Sequence, residues 1–555
     1  MKLVKKIILI LLLILNQKLF SQFIEQHFVL VIIDGARYSE TLGDTTKQYT
    51  PVMHQLALQG AVIDTFINDS LTYTSRAIPA IWCGSWKAPR DTVINGNATQ
   101  YATVPTFWEY FRKDRDKDST DALYITKYFT APWLPSFYPN YGPPYWPMFV
   151  MQENVWSDLY VWNLAKNKLA ELHPKFSVIY LADVDAAGHS GNWDNYTRKI
   201  TIADSIVGML WNFLQSDSIL KGRTTMVVTN DHGRHLDTVS TGFVGHGDGC
   251  WGCRRIQFLA VGSNIKKGIT KIKRKIPDIT PTIGKILNFN PIYSTGTTIT
   301  EILKPIISFD KRNIDLGNVY VNSSKIDSFK IYNSGAADLN VNISTPANIV
   351  TNPTTTQILP HTYKNFIVTF SPIDTGEVNS FFLINHNDEN QIDTIFIKAT
   401  VLPALDTVTF KVEKGWNLIS IPVKTEINHI DTIFSNHSSR AFKYSNGYQV
   451  TDTLELGTGY WLKFRDTSNV KFTGKAISSD TIDVVIGWNL IGMISYPVTA
   501  SQILTIPENL VSSNIYSYNK SYIPVDTLYP GKAYWIKVNT NGKIILRKNE
   551  LHRKN

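Results

Sequence analysis

The 555-residue sequence predicts a mostly parallel α/β domain with helices on both faces of its sheet, followed by all-β modules. Three observations carry that reading. The apolar runs in "HFVLVIID" (27–34), "FSVIYLADVD" (176–185) and "TTMVVTND" (224–231) do not alternate with polar residues, as befits strands buried on both faces. Helical spacing separates such runs, as in "TPVMHQLALQGA" (50–61), which opens on a Pro and ends at a Gly. Beyond residue 304 the chain becomes short alternating segments broken by turn residues, the texture of a β-sandwich.

In chain order, the first segment reads "MKLVKKIILILLLILNQKLFSQ". Lys2, Lys5 and Lys6 precede an apolar stretch from Ile7 to Leu15, and Leu19 and Ser21 suit the −3 and −1 positions of a cleavage site. Residues 1–21 therefore read as a signal peptide, and the apolar stretch is too short to span a bilayer. The mature chain is expected in the periplasm, on the cell surface or outside the cell, with no transmembrane span. Without the four lysines of residues 1–21 the net charge falls from +9 to +5. No basic stripe and no nucleic-acid-binding motif accompanies that mild charge. The cysteines are Cys83, Cys250 and Cys253; after export the last two could close a small disulfide loop, leaving Cys83 unpaired. A single CxxC is weak evidence for zinc.

Residues 22–303 form the expected α/β domain, interrupted by an aromatic and proline-rich insertion (128–149) that reads as a loop or lid. Residues 304–403 form the expected sandwich. "IDLGNVYVNSS" (314–324), "IYNSGAADLNV" (331–341) and "VTFSPIDTG" (368–376) resemble the immunoglobulin-like modules of the ASPM, SPD-2 and hydin type. An internal repeat follows, with copies at 404–480 and 481–555: "GWNLIS" (415–420) returns as "GWNLIG" (487–492), and "DTLELGTGYWLKF" (452–464) as "DTLYPGKAYWIKV" (526–538). The repeated Trp and Tyr are expected to fill two small cores. Exposed copies stacking on glycans at a cell surface are the open alternative.

The candidate chemistry lies at the ends of the apolar runs. Asp34 ends the first, Asp185 and His189 follow the second, Asp231 and His232 end the third, and His246 sits in a Gly-rich loop. Each alone reads equally as a helix cap or a turn residue. Together they are oxygen and nitrogen donors at the carboxyl ends of α/β strands, where active sites form. Asp and neutral His suit Zn2+ or Mn2+.

On these residues the chain resembles the alkaline phosphatase superfamily, and within it the type I phosphodiesterase and nucleotide pyrophosphatase branch. The matching motifs are "DGAR" (34–37), "DAAGH" (185–189), "NDHG" (230–233) and "GHG" (245–247), with "TPVMHQLALQGA" as the branch's helix. The resemblance implies two divalent metal ions. Asp185, His189 and His246 would hold one, and Asp34, Asp231, His232 and the Thr74 oxygen the other. It also implies a nucleophile ten residues before a Gly. In "TYTSRAIPAIWCG" (72–84) that residue is Thr74, with Thr72 and Ser75 left open because Ser75-Arg76 and Cys83 depart from the family pattern. Asn95 would donate to the phosphoryl oxygen; the bland reading is a turn residue before Gly96.

The implied activity is hydrolysis of a small-molecule phosphate ester, as a phosphodiesterase or nucleotide pyrophosphatase, through a covalent phosphothreonine. A phosphomonoesterase or a sulfatase-like hydrolase of the same superfamily is the alternative. Arg76, Lys127, Arg234, Arg254 and Arg255 are candidates for the cationic clamp a monoester would need. An adhesion or glycan-binding protein with an inactive enzyme-like domain is the reading from another class. His235, next to the motif, reads as an ordinary loop histidine.

Overall fold

The computed structural model describes residues 23–94, 96–127, 134–152 and 157–549. Within the first domain lies a sheet of strands β1 (His27–Ile33), β2 (Ala61–Ile63), β3 (Ala122–Ile125), β4 (Met148–Val150), β5 (Phe176–Leu181), β6 (Thr224–Thr229), β7 (Phe258–Gly262) and β8 (Gly268–Thr270). Their order is β8-β2-β7-β6-β1-β5-β3-β4. The run from β6 through β1, β5 and β3 to β4 is parallel throughout. Strand β7 breaks the pattern, running antiparallel to both β6 and β2.

The unbroken apolar runs now have a cause. On β1, Phe28, Leu30 and Ile32 enter one core, with Ile78, Trp82, Trp108 and Ile283. Val29, Val31 and Ile33 enter a second, with Val161, Ile200, Val207 and Leu210. The first core is covered by helices from Thr74–Cys83, Phe107–Asp114 and Ile279–Leu287, and the second by Pro51–Ala57, Asp158–Leu172 and Trp193–Ser216. A strand covered on both sides has no polar face to alternate with. The helix at Pro51 starts without a side-chain cap of its own; Asp204 supplies one from the helix below, accepting from the N–H groups of Val52 (2.9 Å) and Met53 (2.8 Å).

The described part of the aromatic insertion is tied down. Buried Glu109 accepts from Ser136 Oγ (2.6 Å) and from the N–H of Gly142 (2.8 Å), and the insertion ends in edge strand β4. Its residues 128–133 lie outside the described residues. Cys83 is buried in the first core, where burial and then the charge of Glu109 push its thiol well above the ordinary value.

Two sheets form the sandwich expected after residue 304. Strands Ile307–Phe309, Lys325–Asn333, Thr362–Phe370 and Ile349–Asn352 make one, and Asn313–Tyr320, Ile392–Leu402, Gly376–His386, Leu339–Ser344 and Thr355–Ile358 the other. Phe329, Phe366, Phe382, Ile384 and Ile395 fill the space between them.

Each repeat then builds its own small β unit. The Gly-Trp-Asn-Leu-Ile segments are strands Gly415–Ile419 and Gly487–Ile491, paired antiparallel with Tyr460–Phe464 and Tyr534–Val538. The two units grip each other through matching backbone bonds. Ser420 N–H donates to Gly531 O (3.0 Å), and its counterpart Gly492 N–H donates to Gly457 O (2.8 Å). Leu418, Leu490, Ala533 and Trp535 form a small core between them.

The expectation that the repeated aromatics fill the cores holds only in part. Trp535 is 7% exposed, but Trp416 is 42% and Trp488 40% exposed. They line two clefts of about 470 and 440 Å3. Trp416, Phe442, Trp461, Tyr448, Tyr518 and Tyr522 line one. Trp488, Tyr516, Trp535, Tyr522, Tyr444 and Tyr448 line the other, and these are the repeat counterparts of the first set. Each cleft draws on both units because the units face each other.

Candidate metal centre

Strands β5, β1 and β6 are parallel neighbours in register, with Ile33 opposite Leu181 and Ile32 opposite Thr229. Whatever follows their last residues must therefore meet. Asp34 follows β1, and its N–H is fixed to Leu181 O (2.9 Å). After β5 the chain turns into the helix Asp183–His189, whose 3.6-residue period stacks Asp185 and His189 on one face. Asp231 and His232 follow β6 by one residue, Asn230. His246 arrives on the later loop, its Nδ1 bonded to Thr72 O (2.8 Å). Thr74 opens the helix Thr74–Cys83.

These residues converge. Thr74 Oγ1 lies 3.0 Å from His232 Nε2 and 3.4 Å from Asp34 Oδ1. His232 Nε2 is 3.4 Å from both Asp34 Oδ1 and Asp231 Oδ2. On the other side, Asp185 lies 3.4 Å from His189 Nε2 and 3.6 Å from His246 Nε2, and the two imidazole nitrogens are 3.1 Å apart. The compact ligand triads are Asp34, Asp231, His232 and Asp185, His232, His246; His189 closes the outer rim with its side chain 51% exposed. The rings of His232 and His246 stack at 3.9 Å, so His232 stands within reach of both halves.

The donor set fits divalent cations. His232 Nδ1 faces Gly233 O (3.0 Å) and His246 Nδ1 faces Thr72 O (2.8 Å). A carbonyl partner requires the proton on Nδ1, which leaves each Nε2 lone pair aimed at the centre. The lone pair of His232 thus points among the carboxylate oxygens of Asp34 and Asp231. Asp231 Oδ2 is fully buried and accepts no hydrogen bond among the described residues. In tetrahedral zinc coordination the N···O edges measure about 3.4 Å, the spacing seen around His232.

The electrostatics say the same. Burial, then the charge of Asp185, pushes the Asp231 carboxyl up to about 7. Burial, then Asp231 and Asp185, raises Asp34 well above the ordinary range. Burial also opposes ionisation of Asp185, yet its bond to His189 and the nearby His232, Arg234 and His246 hold it below the ordinary value. Burial, then the neighbouring His232, pushes His246 down to about 3, keeping it neutral. A neutral His246 beside crowded carboxylates suits a bound cation.

Several residues support the cluster from behind. Asn230 is fully buried; its amide donates to Ala36 O (2.9 Å) and His232 O (2.7 Å) and its oxygen accepts from Gln257 N–H (2.8 Å). Tyr180 donates to Asp34 Oδ2. Arg37 of the "DGAR" motif pairs in a fork with Glu40 (2.6 and 2.8 Å) and reaches His235 O (2.8 Å), pinning the chain after His232.

Arg234 is fully buried and bonds the carboxylate and carbonyl of Asp185 together with Val244 O (2.9 Å). It is a brace beneath the centre and not the phosphate clamp it was a candidate for. Gly188 is required because a Cβ there would lie 2.3 Å from the Arg234 guanidinium carbon, and Gly35 because a Cβ would lie 2.5 Å from Asp185 Oδ1.

Thr72 is buried, and its hydroxyl donates to Asp248 O (2.8 Å), whereas the Thr74 hydroxyl faces the cluster. Asn95 lies outside the described residues. His235 departs from the expectation of an ordinary loop residue: it is 5% exposed and packs against Cys250 and Cys253, both of which carry free thiols in this structure.

Residues 151–291, which include Asp185, His189, Asp231, His232 and His246, match the sequence profile of the Metalloenzyme superfamily. The stretch of the first domain that carries these five side chains is thus similar to a superfamily of metalloenzymes. Residues 305–400 match the HYDIN/CFA65/VesB-like Ig-like domain, in line with the resemblance read from the sandwich motifs. Among curated proteins no sequence matches the chain. Similar solved structures include the phosphonate monoester hydrolase of Agrobacterium radiobacter (12% identity, 51% of this chain and 80% of that one, TM-score 0.38). Murine ectonucleotide pyrophosphatase/phosphodiesterase 5 is another (14% identity, 50% and 100% covered, TM-score 0.38), as is a 2-O GAG sulfatase (10% identity, 61% and 84% covered, TM-score 0.38). Among the described residues no helix is long and apolar enough to cross a membrane.

The raised carboxyls generate a testable pH dependence. In metal-free protein Asp231 keeps its proton up to about pH 7 when folded and only to its ordinary value near 3.8 when unfolded. At Asp231 the folded state binds more protons across that window, so this carboxyl's contribution to stability falls as pH rises from about 4 to about 7; Asp34, raised in the same way, adds to the fall, and His246, lowered to about 3, opposes it below its ordinary value near 6.5. Asp185, held below its ordinary value, contributes an opposite slope that is spent by about pH 5. Thermal melts of chelator-treated protein are expected to show a lower Tm at pH 8 than at pH 5, with added zinc restoring it at pH 8. Asp231→Asn should flatten that slope and lose most of the zinc effect; an unchanged slope would refute the assignment of the strain to this carboxylate.

Proposed function

We propose that the first domain hydrolyses phosphate esters, diesters in preference to monoesters, through a covalent phosphothreonine at Thr74. The observation that carries this reading is the placement of the Thr74 hydroxyl, 3.0 Å from His232 Nε2 and 3.4 Å from Asp34 Oδ1, on the first residue of a helix. Two divalent cations, zinc foremost and manganese as the alternative, would supply Lewis acidity that favours the ionised hydroxyl and neutralises phosphoryl charge. Asp34, Asp231 and His232 would hold one beside Thr74, and Asp185, His189 and His246 the other.

The chain's own residues do the rest. Thr74 sits where the helix N–H groups have no intrahelical partners, so the positive end of the helix dipole favours its ionised form. Its oxygen bonds to phosphorus as the bond from phosphorus to the leaving oxygen breaks. Water then cleaves the phosphothreonine and restores the hydroxyl. Asn95 would donate its amide N–H to the phosphoryl oxygen, as the family resemblance implies.

The diester preference rests on how the nearby cations are committed. Lys127 is paired with Asp183 (2.5 Å), Arg255 with Asp64 (3.0 Å) and Arg234 with Asp185. Arg254 is engaged by the carbonyls of Gly249 (3.0 Å) and Asn68 (3.3 Å). Arg76 keeps a buried Nη1 with no partner among the described residues and is the one candidate left for a monoester to recruit. A sulfatase reading through Cys83 is disfavoured because that thiol is buried in the core.

The aromatic clefts of the repeats support a glycan-contacting role, with saccharide rings stacking on the half-exposed faces of Trp416 and Trp488. A chain exported through residues 1–21 would meet such glycans at a cell surface. The mass of the protein recovered from the natural host, starting at residue 22, tests the export.

Turnover of bis- and mono-nitrophenyl phosphate by the full chain tests the chemistry. Chelation should abolish hydrolysis of the diester. Thr74→Ala should lower it by roughly three orders of magnitude or more while the bound metal is retained. Hydrolysis that survives Thr74→Ala removes the covalent step, and metal-loaded protein inert on both esters removes the proposal. Trp416→Ala with Trp488→Ala should abolish retardation of the protein in polysaccharide-containing native gels; retardation equal to the parent would place glycan contact elsewhere.

A further inference from the structure

The loop that delivers His246 makes a second cluster behind the catalytic one. His235 Nδ1 lies 3.4 Å from Cys250 Sγ, 3.4 Å from Cys253 Sγ and 3.3 Å from Asp248 Oδ1. Together the four ligand atoms fall within 4.8 Å of one another. Tetrahedral zinc, with bonds of about 2.3 Å to sulfur and 2.0–2.1 Å to nitrogen and oxygen, has N···S edges of about 3.6 Å and N···O edges of about 3.4 Å. The observed spacings match both. We propose that His235, Asp248, Cys250 and Cys253 bind a structural zinc ion, distinct from the ions of the catalytic centre.

The ligand chemistry favours zinc: two thiolates, an imidazole and a carboxylate fill four positions and leave none open for substrate. Cys253 and His235 are buried, while Asp248 stands at the surface, which gives the ion a way in. Binding releases the two thiol protons to solvent and changes no oxidation state. A Cys250–Cys253 disulfide is the competing state. It would consume both sulfurs and leave His235 beside Asp248 with no shared ligand.

The position gives the ion a job. Residues 231–235 and 245–253 are laced together by Gly233 N–H to Cys253 O (2.8 Å) and His235 N–H to Gly245 O (3.0 Å). One segment carries Asp231 and His232, the other His246. Asp248 O also accepts from Thr72, whose own carbonyl fixes His246. A zinc ion would clamp both segments at the distance the catalytic ligands need.

The test uses full-length protein isolated without reductant or chelator. With cobalt in place of zinc, thiolate-to-cobalt charge-transfer absorption is expected in the near ultraviolet. The catalytic ligands are all oxygen and nitrogen, so this signal reports the cysteine site even if the hydrolase reading fails. Cys250→Ser with Cys253→Ser should remove the band and lower zinc by about one ion per chain. In the parent protein both thiols should resist alkylation until a chelator is added. Thiols that become alkylatable only after reduction, or cobalt protein without the band, overturn the proposal whether or not the double variant folds.

Discussion

Three carboxylates, the buried Asp34 and Asp231 and the partly buried Asp185, are held together, and the surroundings of the first domain depend on that crowding. Parallel pairing of β5, β1 and β6 makes it unavoidable, because the residues leaving three neighbouring strands in register have nowhere else to go. Isolated buried carboxylates of like charge cost several kcal/mol each unless protonated or paired. Burial and repulsion raise Asp34 and Asp231, while Arg234 and the imidazoles keep Asp185 charged. The site is therefore built to be completed by positive charge.

The scaffolding around it is polar where a core is usually apolar. Asn230, Arg37, Arg234 and Tyr180 are all buried, and each bonds to a backbone carbonyl or a carboxylate of the strand-end loops. Satisfied networks of this kind rigidify what they connect. They hold the ligands from behind, as second-layer partners do in metal sites generally. His246 has such a partner in Thr72 O and His232 in Gly233 O, so tutored ring orientations precede any ion.

Much of this was legible in the sequence, and the failures have physical reasons. The apolar runs and the residues ending them announced both the sheet and the cluster of carboxylates and imidazoles at its edge, because burial on two faces and a polar strand end leave local marks. Arg234 was open to misreading because an arginine beside a motif looks the same whether it braces the protein or faces a substrate; only the space under Gly188 distinguishes the two. His235 was passed over because its partners come from a segment separated from it by a loop, and single-sequence spacing does not show which loop folds back. The repeat aromatics were assigned to cores on the rule that large rings are buried. That rule failed for Trp416 and Trp488 because two units face each other and turn part of each surface into a shared cleft.

That sharing has a consequence for how the C-terminal half arose. Tyr448 and Tyr522 each line both clefts, and every cleft takes residues from both copies of the repeat. A lone copy would expose half of each aromatic wall and the backbone groups that Ser420, Gly457, Gly492 and Gly531 now pair. An ancestral single-repeat protein could have formed the same surface only as a two-fold symmetric homodimer. Duplication and fusion would then have made the pairing intramolecular and freed the two halves to diverge, with Phe442 facing one cleft where Tyr516 faces the other.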